Sequence, residues 1–267
     1  MDISIIIVNY NTVVKTLACL ESVFNSDLEG ISFEVIVVDN NSKDNLGPIL
    51  KDKYPQVKFI ESLKNVGMGE GNNIAINNSE GEYILILNPD TVLFNSAIRI
   101  MYSYLKLYSD VGIVGPKLLN PDKSLQYSCS RFPKCYTPII RRTFLNHYFK
   151  KHISWFMMHD FSHAEIKEVD WLMGSCLLVR RSNWSEFDKR FFMYFEDIDL
   201  CRRAWHNGYK VVYLPQAKVI HDHQRASAKV VWYLALFKNK IAREHIKSWF
   251  KYFYKWKMQK PKIDNNN

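Results

Sequence analysis

With 267 residues, 47% of them hydrophobic, the chain is long enough for one large domain or two small ones, and too apolar to be wholly disordered. Five cysteines, an odd number with no C-x-x-C pair, exclude a disulfide framework or zinc ribbon and point to the reducing cytoplasm. The net charge of +9 sits at one end: Arg225 to Lys262 holds eleven Lys/Arg and one acid, Glu244, giving +10 and leaving −1 on the rest.

Met1-Asp2-Ile3-Ser4-Ile5 carries neither the charged start nor the small-residue cleavage site of a secretory signal. Ile3 to Val8 is a short β-branched run, followed by similar runs at Phe33 to Val38, Val57 to Ile60, Tyr83 to Leu87 and Val111 to Val114. Helical patterns fill 13–26, 44–53, 69–79 and 95–108 between them. Continuous apolar strands alternating with helices predict a doubly wound α/β layer with a mostly parallel sheet, and ligands in such sheets bind beyond the carboxyl ends of the strands. Lys117 to Ser128 reads as a hairpin about Asn120-Pro121-Asp122. Residues 131–158 contain no acid, six Lys/Arg and many aromatics, and read as an excursion from the sheet. Trp171 to Arg180 reads as a strand broken near Gly174, and Phe191 to Phe195 is aromatic. Glu196 to His206 reads as a helix closed by Asn207-Gly208, and Lys210 to Leu214 and Ala217 to Ile220 as extended pieces. No apolar run approaches bilayer length, Val230 to Phe237 being among the longest. The C-terminal segment predicts a basic amphipathic helix. Lys240, Arg243, Lys247, Lys251 and Lys255 share one face, while Leu234, Phe237, Ile241, Ile246, Trp249, Phe250, Phe253 and Trp256 lie around another. That pattern suits a helix lying in an anionic membrane interface, or one packed on the protein body by its aromatic face.

The strand ends are polar: Asn9-Tyr10-Asn11-Thr12, Asp39-Asn40-Asn41-Ser42, the stretch Asn65 to Asn73, and Asn88-Pro89-Asp90. Asp39 can accept from the imide N–H of a uracil or thymine ring, or serve as a turn or capping residue. Gly67, Gly69 and Gly71 open a helix where N–H groups can face a phosphate, or form a tight turn. Their spacing is not that of the dinucleotide-binding G-x-G-x-x-G. Asp90 can hold Mg²⁺ or Mn²⁺ against a diphosphate, or be turn chemistry. Glu196, Asp197 and Asp199 suit a helix N-terminus electrostatically, and one of them can act as a general base. His221, and less readily His223, can complete a metal site with Asp90 or be structural.

Together these blocks resemble family 2 glycosyltransferases of the GT-A fold: SIIIVNYNT (4–12), VVDNNSKD (37–44), NVGMGEGNN (65–73), LNPDT (87–91), WLMGSCLLVRR (171–181) and FEDIDLCRRAWHNGY (195–209). The likeness runs from about residue 3 to 223 and is nearest to bacterial rhamnosyltransferases of O-antigen and cell-wall polysaccharide assembly. It implies a catalytic domain over 1–224, with a nucleotide-sugar half (1–115) and an acceptor half (116–224), followed by a tail over 225–267. By position it implies donor-nucleotide contacts from Asn9, Asn11, Asp39, Asn65, Gly67, Asn72 and Asn88. It implies a divalent metal at Asp90 and His221, Asp197 as catalytic base, and an acceptor side at Trp171, Gly174, Ser175 and Glu196. Two blocks depart from the family pattern: N-P-D stands where D-x-D is usual, and HDHQRAS (221–227) lacks the glycine of the late histidine loop. The implied activity is inverting transfer of a sugar, L-rhamnose from dTDP-L-rhamnose, to a lipid-linked saccharide at the inner face of the cytoplasmic membrane. The alternatives are a hexosyl or N-acetylhexosaminyl transferase using a UDP-sugar, and a nucleotide-sugar-binding scaffold without catalysis. A nucleic-acid partner is not expected, because the body is neutral.

Overall fold

The computed structural model describes residues 1–222 and 240–257; the readings on 223–239 and 258–267, His223, Leu234 and Phe237 among them, lie outside the described residues. Twelve strands occur: β1 (Ile3–Asn9), β2 (Phe33–Asp39), β3 (Lys58–Glu61), β4 (Tyr83–Leu87), β5 (Thr91–Leu93), β6 (Val111–Leu119), β7 (Leu125–Gln126), β8 (Cys129–Ser130), β9 (Lys167–Glu168), β10 (Trp171–Leu172), β11 (Cys176–Arg180) and β12 (Lys210–His221). The helices are α1 (Val13–Phe24), α2 (Leu46–Lys53), α3 (Met68–Ile76), α4 (Ala97–Leu107), α5 (Thr137–Arg142), α6 (Lys150–Phe156), α7 (Glu196–His206) and α8 (Lys240–Lys255). The main sheet runs β3-β2-β1-β4-β11-β6-β12-β5, with β7 and β9 attached at its margin. Strands β3, β2, β1 and β4 are mutually parallel, as are β6 and β12; β11 runs antiparallel between β4 and β6.

All seven residues of β1 and all five of β4 are buried, because helices cover both sheet faces. One face is covered by Leu20 and Val23 of α1, Leu46 and Leu50 of α2, and Ile98, Met101 and Leu105 of α4. The other meets Ala75 and Ile76 of α3, Leu200, Cys201 and Ala204 of α7, and Tyr252 and Trp256 at the C-terminal side. The hairpin forms as β6 and β7, with Leu118 opposite Gln126. The strand predicted over 171–180 is interrupted at 173–175, where it leaves the small β8–β10 pair and enters the main sheet. The two extended pieces predicted at 210–220 form one strand, whose pairing with β6 shifts between Leu214 and Lys218. Pro215 sits in that irregularity, where no ladder N–H is required.

Helix α8 packs on the body rather than standing apart. Tyr252 is fully buried and Trp256 nearly so. Ser248 Oγ donates to the Met193 carbonyl at 2.8 Å, and Arg202 donates to the Tyr252 hydroxyl at 3.0 Å. The Arg202 guanidinium also lies over the rings of Phe132, Tyr252 and Trp256. Fully buried Asp199 of α7 accepts from Trp256 Nε1, Arg203 and Lys255 at 2.7–2.9 Å. Much of the aromatic face that sequence offered to a membrane is therefore spent on the protein core, and Lys255 is anchored.

Burial alone would push the Asp188 carboxyl up, but hydrogen bonds from Arg190 and Lys255 hold it well below the usual range. A carboxylate depressed in the folded state contributes stability above its unfolded value of about 4, and that contribution is lost as pH falls. We expect Lys255→Met to cost about 2 kcal/mol at neutral pH, with the gap from wild type shrinking below about pH 4. Urea unfolding across pH checks both statements; a gap that grows at low pH would contradict them.

Candidate active site

Parallel register brings the first two strand ends together, with Asn9 opposite Asp39. Asp39 accepts from Asn9 Nδ2 and from the Ser42 N–H, each at 2.8 Å. Asn9 is fully buried, and its Oδ1 takes the Thr12 N–H and the Thr12 and Thr16 hydroxyls. Its amide nitrogen also reaches Ser42 and Asp44. Asn9, expected to line the nucleotide pocket, is placed where it holds the Asp39 side chain. Asn11, exposed and left-handed at φ 54°, accepts the Lys43 N–H and donates its own N–H to Ser42, joining the two strand-end loops. Asp44, which sequence reasoning did not single out, accepts the Val13 N–H at 3.0 Å and so serves the N-terminus of α1, which has no side-chain cap of its own.

The glycine run is used for close packing. At Gly67, φ 90°, an added Cβ would collide with the Phe192 carbonyl, which also accepts the Met68 N–H at 2.9 Å. A Cβ at Gly71 would meet Val8 of β1 at 2.9 Å. Asn65 Oδ1 holds the Gly67 N–H and the Asn40 amide. Gly67 thus sits in a tight turn, and of the N–H groups at this helix start that of Met68 is engaged by Phe192. Asn72 is buried, donates to the Met68 carbonyl, and leaves Oδ1 without a hydrogen-bond partner.

Asn88 to Thr91 is a turn, closed by the Thr91 N–H and hydroxyl on the Asn88 carbonyl. It leads into β5, where Thr91 lies opposite His221 of β12. Asp90 Oδ1 is thereby 3.4 Å from His221 Nε2. His221 Nδ1 meets Gln126 Oε1 at 2.6 Å, and Gln126 Nε2 donates to Asn120 and to the His221 carbonyl. Gln126 thus fixes Nδ1 as the donor and turns Nε2 toward Asp90. Burial pushes the Asp90 carboxyl up, but the hydrogen bond and charge of His221 and the charge of Lys15 hold it below its ordinary value. Two basic atoms this close need a proton or a cation between them. An ionised carboxylate and an oriented imidazole fit Mn²⁺ or Mg²⁺. No group of three His, Cys, Asp or Glu gathers among the described residues, so phosphate oxygens and water must complete such a shell.

Asp197 opens α7. Its Oδ2 accepts the Gly174 N–H at 3.0 Å and its Oδ1 the Ile198 N–H at 2.8 Å. An added Cβ at Gly174 would stand 3.0 Å from the Asp197 Cβ, a tight contact that would push the Asp197 side chain aside by a few tenths of an ångström. Burial raises the Asp197 carboxyl above its usual range despite these N–H groups. Glu196 is also raised, to about 8, by burial and by the charge of Asp197, and its Oε2 is buried without a hydrogen-bond partner among the described residues. One residue on, the Ser175 carbonyl accepts the Asn88 N–H at 2.8 Å, while the Ser175 hydroxyl is buried and unpartnered. Adjacent residues therefore hold Asp197, through the Gly174 N–H on its carboxylate, and the Asn88–Thr91 turn that carries Asp90, through the Asn88 N–H on the Ser175 carbonyl. Because Cys176 lies opposite Leu87 and Leu87 opposite Ile7, the same sheet edge carries Asp39. Trp171 donates its indole N–H to the Arg131 carbonyl, and its ring lies 6.4 Å from that of Phe156, tying the 131–158 excursion to this edge.

The profile of Glycosyl transferase family 2 matches residues 4–166. "Rhamnosyltransferase WbbL" of Escherichia coli is 30% identical over 85% of this chain and 84% of its own length. "N-acetylglucosaminyl-diphospho-decaprenol L-rhamnosyltransferase" of Mycobacterium tuberculosis is 29% identical over 73% of this chain and 68% of its own. Among solved structures, a mannosyltransferase of Pyrobaculum calidifontis in complex with GDP-Man and Mn²⁺ superposes with a TM-score of 0.64 at 16% identity. That match covers 97% of this chain, which spans 65% of the mannosyltransferase. GalNAc-T7 with UDP, GalNAc and Mn²⁺ gives a TM-score of 0.63 at 14% identity, over 84% of this chain and 44% of its own. The sheet is that of the GT-A glycosyltransferases, and the chain belongs to glycosyl transferase family 2.

Proposed function

We propose that the chain transfers L-rhamnose from dTDP-L-rhamnose, with inversion, to a hydroxyl of a saccharide carried on a lipid, in bacterial surface polysaccharide assembly at the inner face of the cytoplasmic membrane. The observation that carries the chemistry is the Gly174–Ser175 bridge, which links the Asp197 carboxylate to the turn bearing Asp90. The rhamnose donor and lipid-borne acceptor are favoured by the names of the two relatives described above.

In this reading Asp39 accepts from the imide N–H of the nucleobase, held for that task by Asn9 and Ser42. Asp90 and His221 would hold the divalent cation, which offsets negative charge on the departing diphosphate. Asp197 removes the acceptor hydroxyl's proton as the oxygen attacks the anomeric carbon from the face opposite the diphosphate. A sugar hydroxyl is a poor nucleophile, so general-base help is worth about 10²–10⁴-fold, and a base raised toward neutrality is better matched to working pH. Glu196, buried beside Asp197, serves the acceptor side as a neutral acid when protonated.

A panel of nucleotide sugars with Mn²⁺ or Mg²⁺ tests the donor: we expect slow hydrolysis or thermal protection to be strongest with dTDP-rhamnose. Preference for a UDP-hexose would replace it by the hexosyl or N-acetylhexosaminyl reading, and binding without turnover on any acceptor by the scaffold reading. Asp197→Asn is expected to lower kcat by about 10²–10⁴-fold while donor affinity, measured by calorimetry, is kept. Wild-type kcat should fall as pH drops through the raised Asp197 value, and the variant should lack that limb. Asp90→Ala is expected to abolish the metal-dependent part of donor binding; unchanged metal-supported binding heat would remove Asp90 from the cation site. Gly174→Ala should lower kcat by roughly tenfold or more through displacement of Asp197, with nucleotide binding preserved.

A further inference from the structure

Large apolar side chains are exposed together along the excursion: Ile139, Phe144 (66%), Tyr148 (79%) and Phe149. Single exposed hydrophobics are ordinary, whereas a contiguous group rimmed by charge marks an interaction surface. The groove among them, about 340 Å³, is lined by Tyr136, Ile139, Ile140, Leu145, Phe149 and His152. Exposed Lys134, Lys150 and Lys151 flank it, and the whole stretch from Arg131 to Met158 contains no acid.

Helix α8 continues this surface. Trp249 Nε1 donates to the Cys135 carbonyl at 3.0 Å, beside Tyr136. The adjoining Phe250 (61%) and Tyr254 (81%) are exposed, on a stripe with Arg243, Lys247 and Lys257. These positions recur at helical spacing, on the side of α8 away from buried Ser248, Tyr252 and Trp256. The membrane-facing residues of this helix are thus not its main aromatic stripe, which the core occupies.

We propose that residues 134–155 and the outer face of α8 form one docking surface for an anionic lipid bilayer. Exposed aromatics beside lysines, over an aliphatic groove, match the headgroup and acyl layers of such an interface. A nucleic acid would satisfy the cations but leave exposed Ile139, Phe144 and Phe149 without an apolar partner. The surface also lies behind the acceptor side, since the Trp171 indole is bonded to Arg131 and its ring adjoins that of Phe156. The inference rests on the lipid-borne acceptor proposed above, and its test is separate from that reading.

The experiment is flotation of the full chain with phosphatidylcholine vesicles with and without phosphatidylglycerol, at low and high salt. Wild type should float with anionic vesicles, and less so in high salt. Phe144→Ser/Tyr148→Ser/Phe149→Ser and, independently, Lys150→Glu/Lys151→Glu should each weaken binding by roughly tenfold or more. Both variants should keep wild-type nucleotide binding and hydrolysis of the soluble donor, which also controls for folding. The proposal is overturned if wild type ignores anionic vesicles, if both variants float as wild type does, or if a short oligonucleotide displaces the vesicles. Intact flotation without any donor turnover would uphold this surface while defeating the transferase reading.

Discussion

The site depends on one backbone segment, Gly174-Ser175. Its N–H on one side holds the Asp197 carboxylate, and its carbonyl on the other holds the turn that presents Asp90. Two hydrogen bonds of about 3 Å thus fix the N-terminus of α7 and the Asn88–Thr91 turn relative to one segment. The segment can do this because the antiparallel strand β11 starts there, inserted between the parallel strands β4 and β6. A Cβ at Gly174 would press on the Asp197 side chain, and the close approach keeps water from a carboxylate whose basicity is raised by the loss of solvent.

Around that segment each functional carboxylate has a dedicated support. Asn9 and Ser42 hold Asp39, the Gly174 and Ile198 amides hold Asp197, and His221, itself oriented by Gln126, faces Asp90. Each acid has one support from a distant element, Asn9 for Asp39, Gly174 for Asp197 and His221 for Asp90, which the assembled fold supplies in addition to the local Ser42 and Ile198 amides. Helix α7 is held in the same way: its Asp199 and Arg202 are locked by Lys255, Trp256 and Tyr252. The helix whose first turn carries Asp197 is therefore fixed from its far side by α8.

The strand runs, the helices between them, the hairpin and the break at Gly174 were legible in the sequence, because burial on both faces imposes β-branched runs and turns impose Gly, Pro and Asn. The polar strand ends were legible for the same reason, since a parallel sheet has only one edge on which to place them. What local pattern could not show were partnerships across long separations. Gly67 is a glycine because of Phe192, and Gln126 matters because of His221. That Asn9 is buried and bonded to Asp39 across 30 residues was likewise not visible in the local pattern. The aromatic stripe of α8 was compatible with lipid or with protein, and packing against Phe195 and Arg202 decided for protein. Asp44 stood inside a recognisable block, but its task at α1 depends on a neighbouring loop.

The sheet face beneath Asp197 is completed by Tyr252 and Trp256, although its strands begin at residue 3. During synthesis those strands emerge long before their cover, so this layer cannot close until residue 256 has left the ribosome. The nascent chain must carry an uncovered apolar sheet for that interval, in a window where chaperones can shield it.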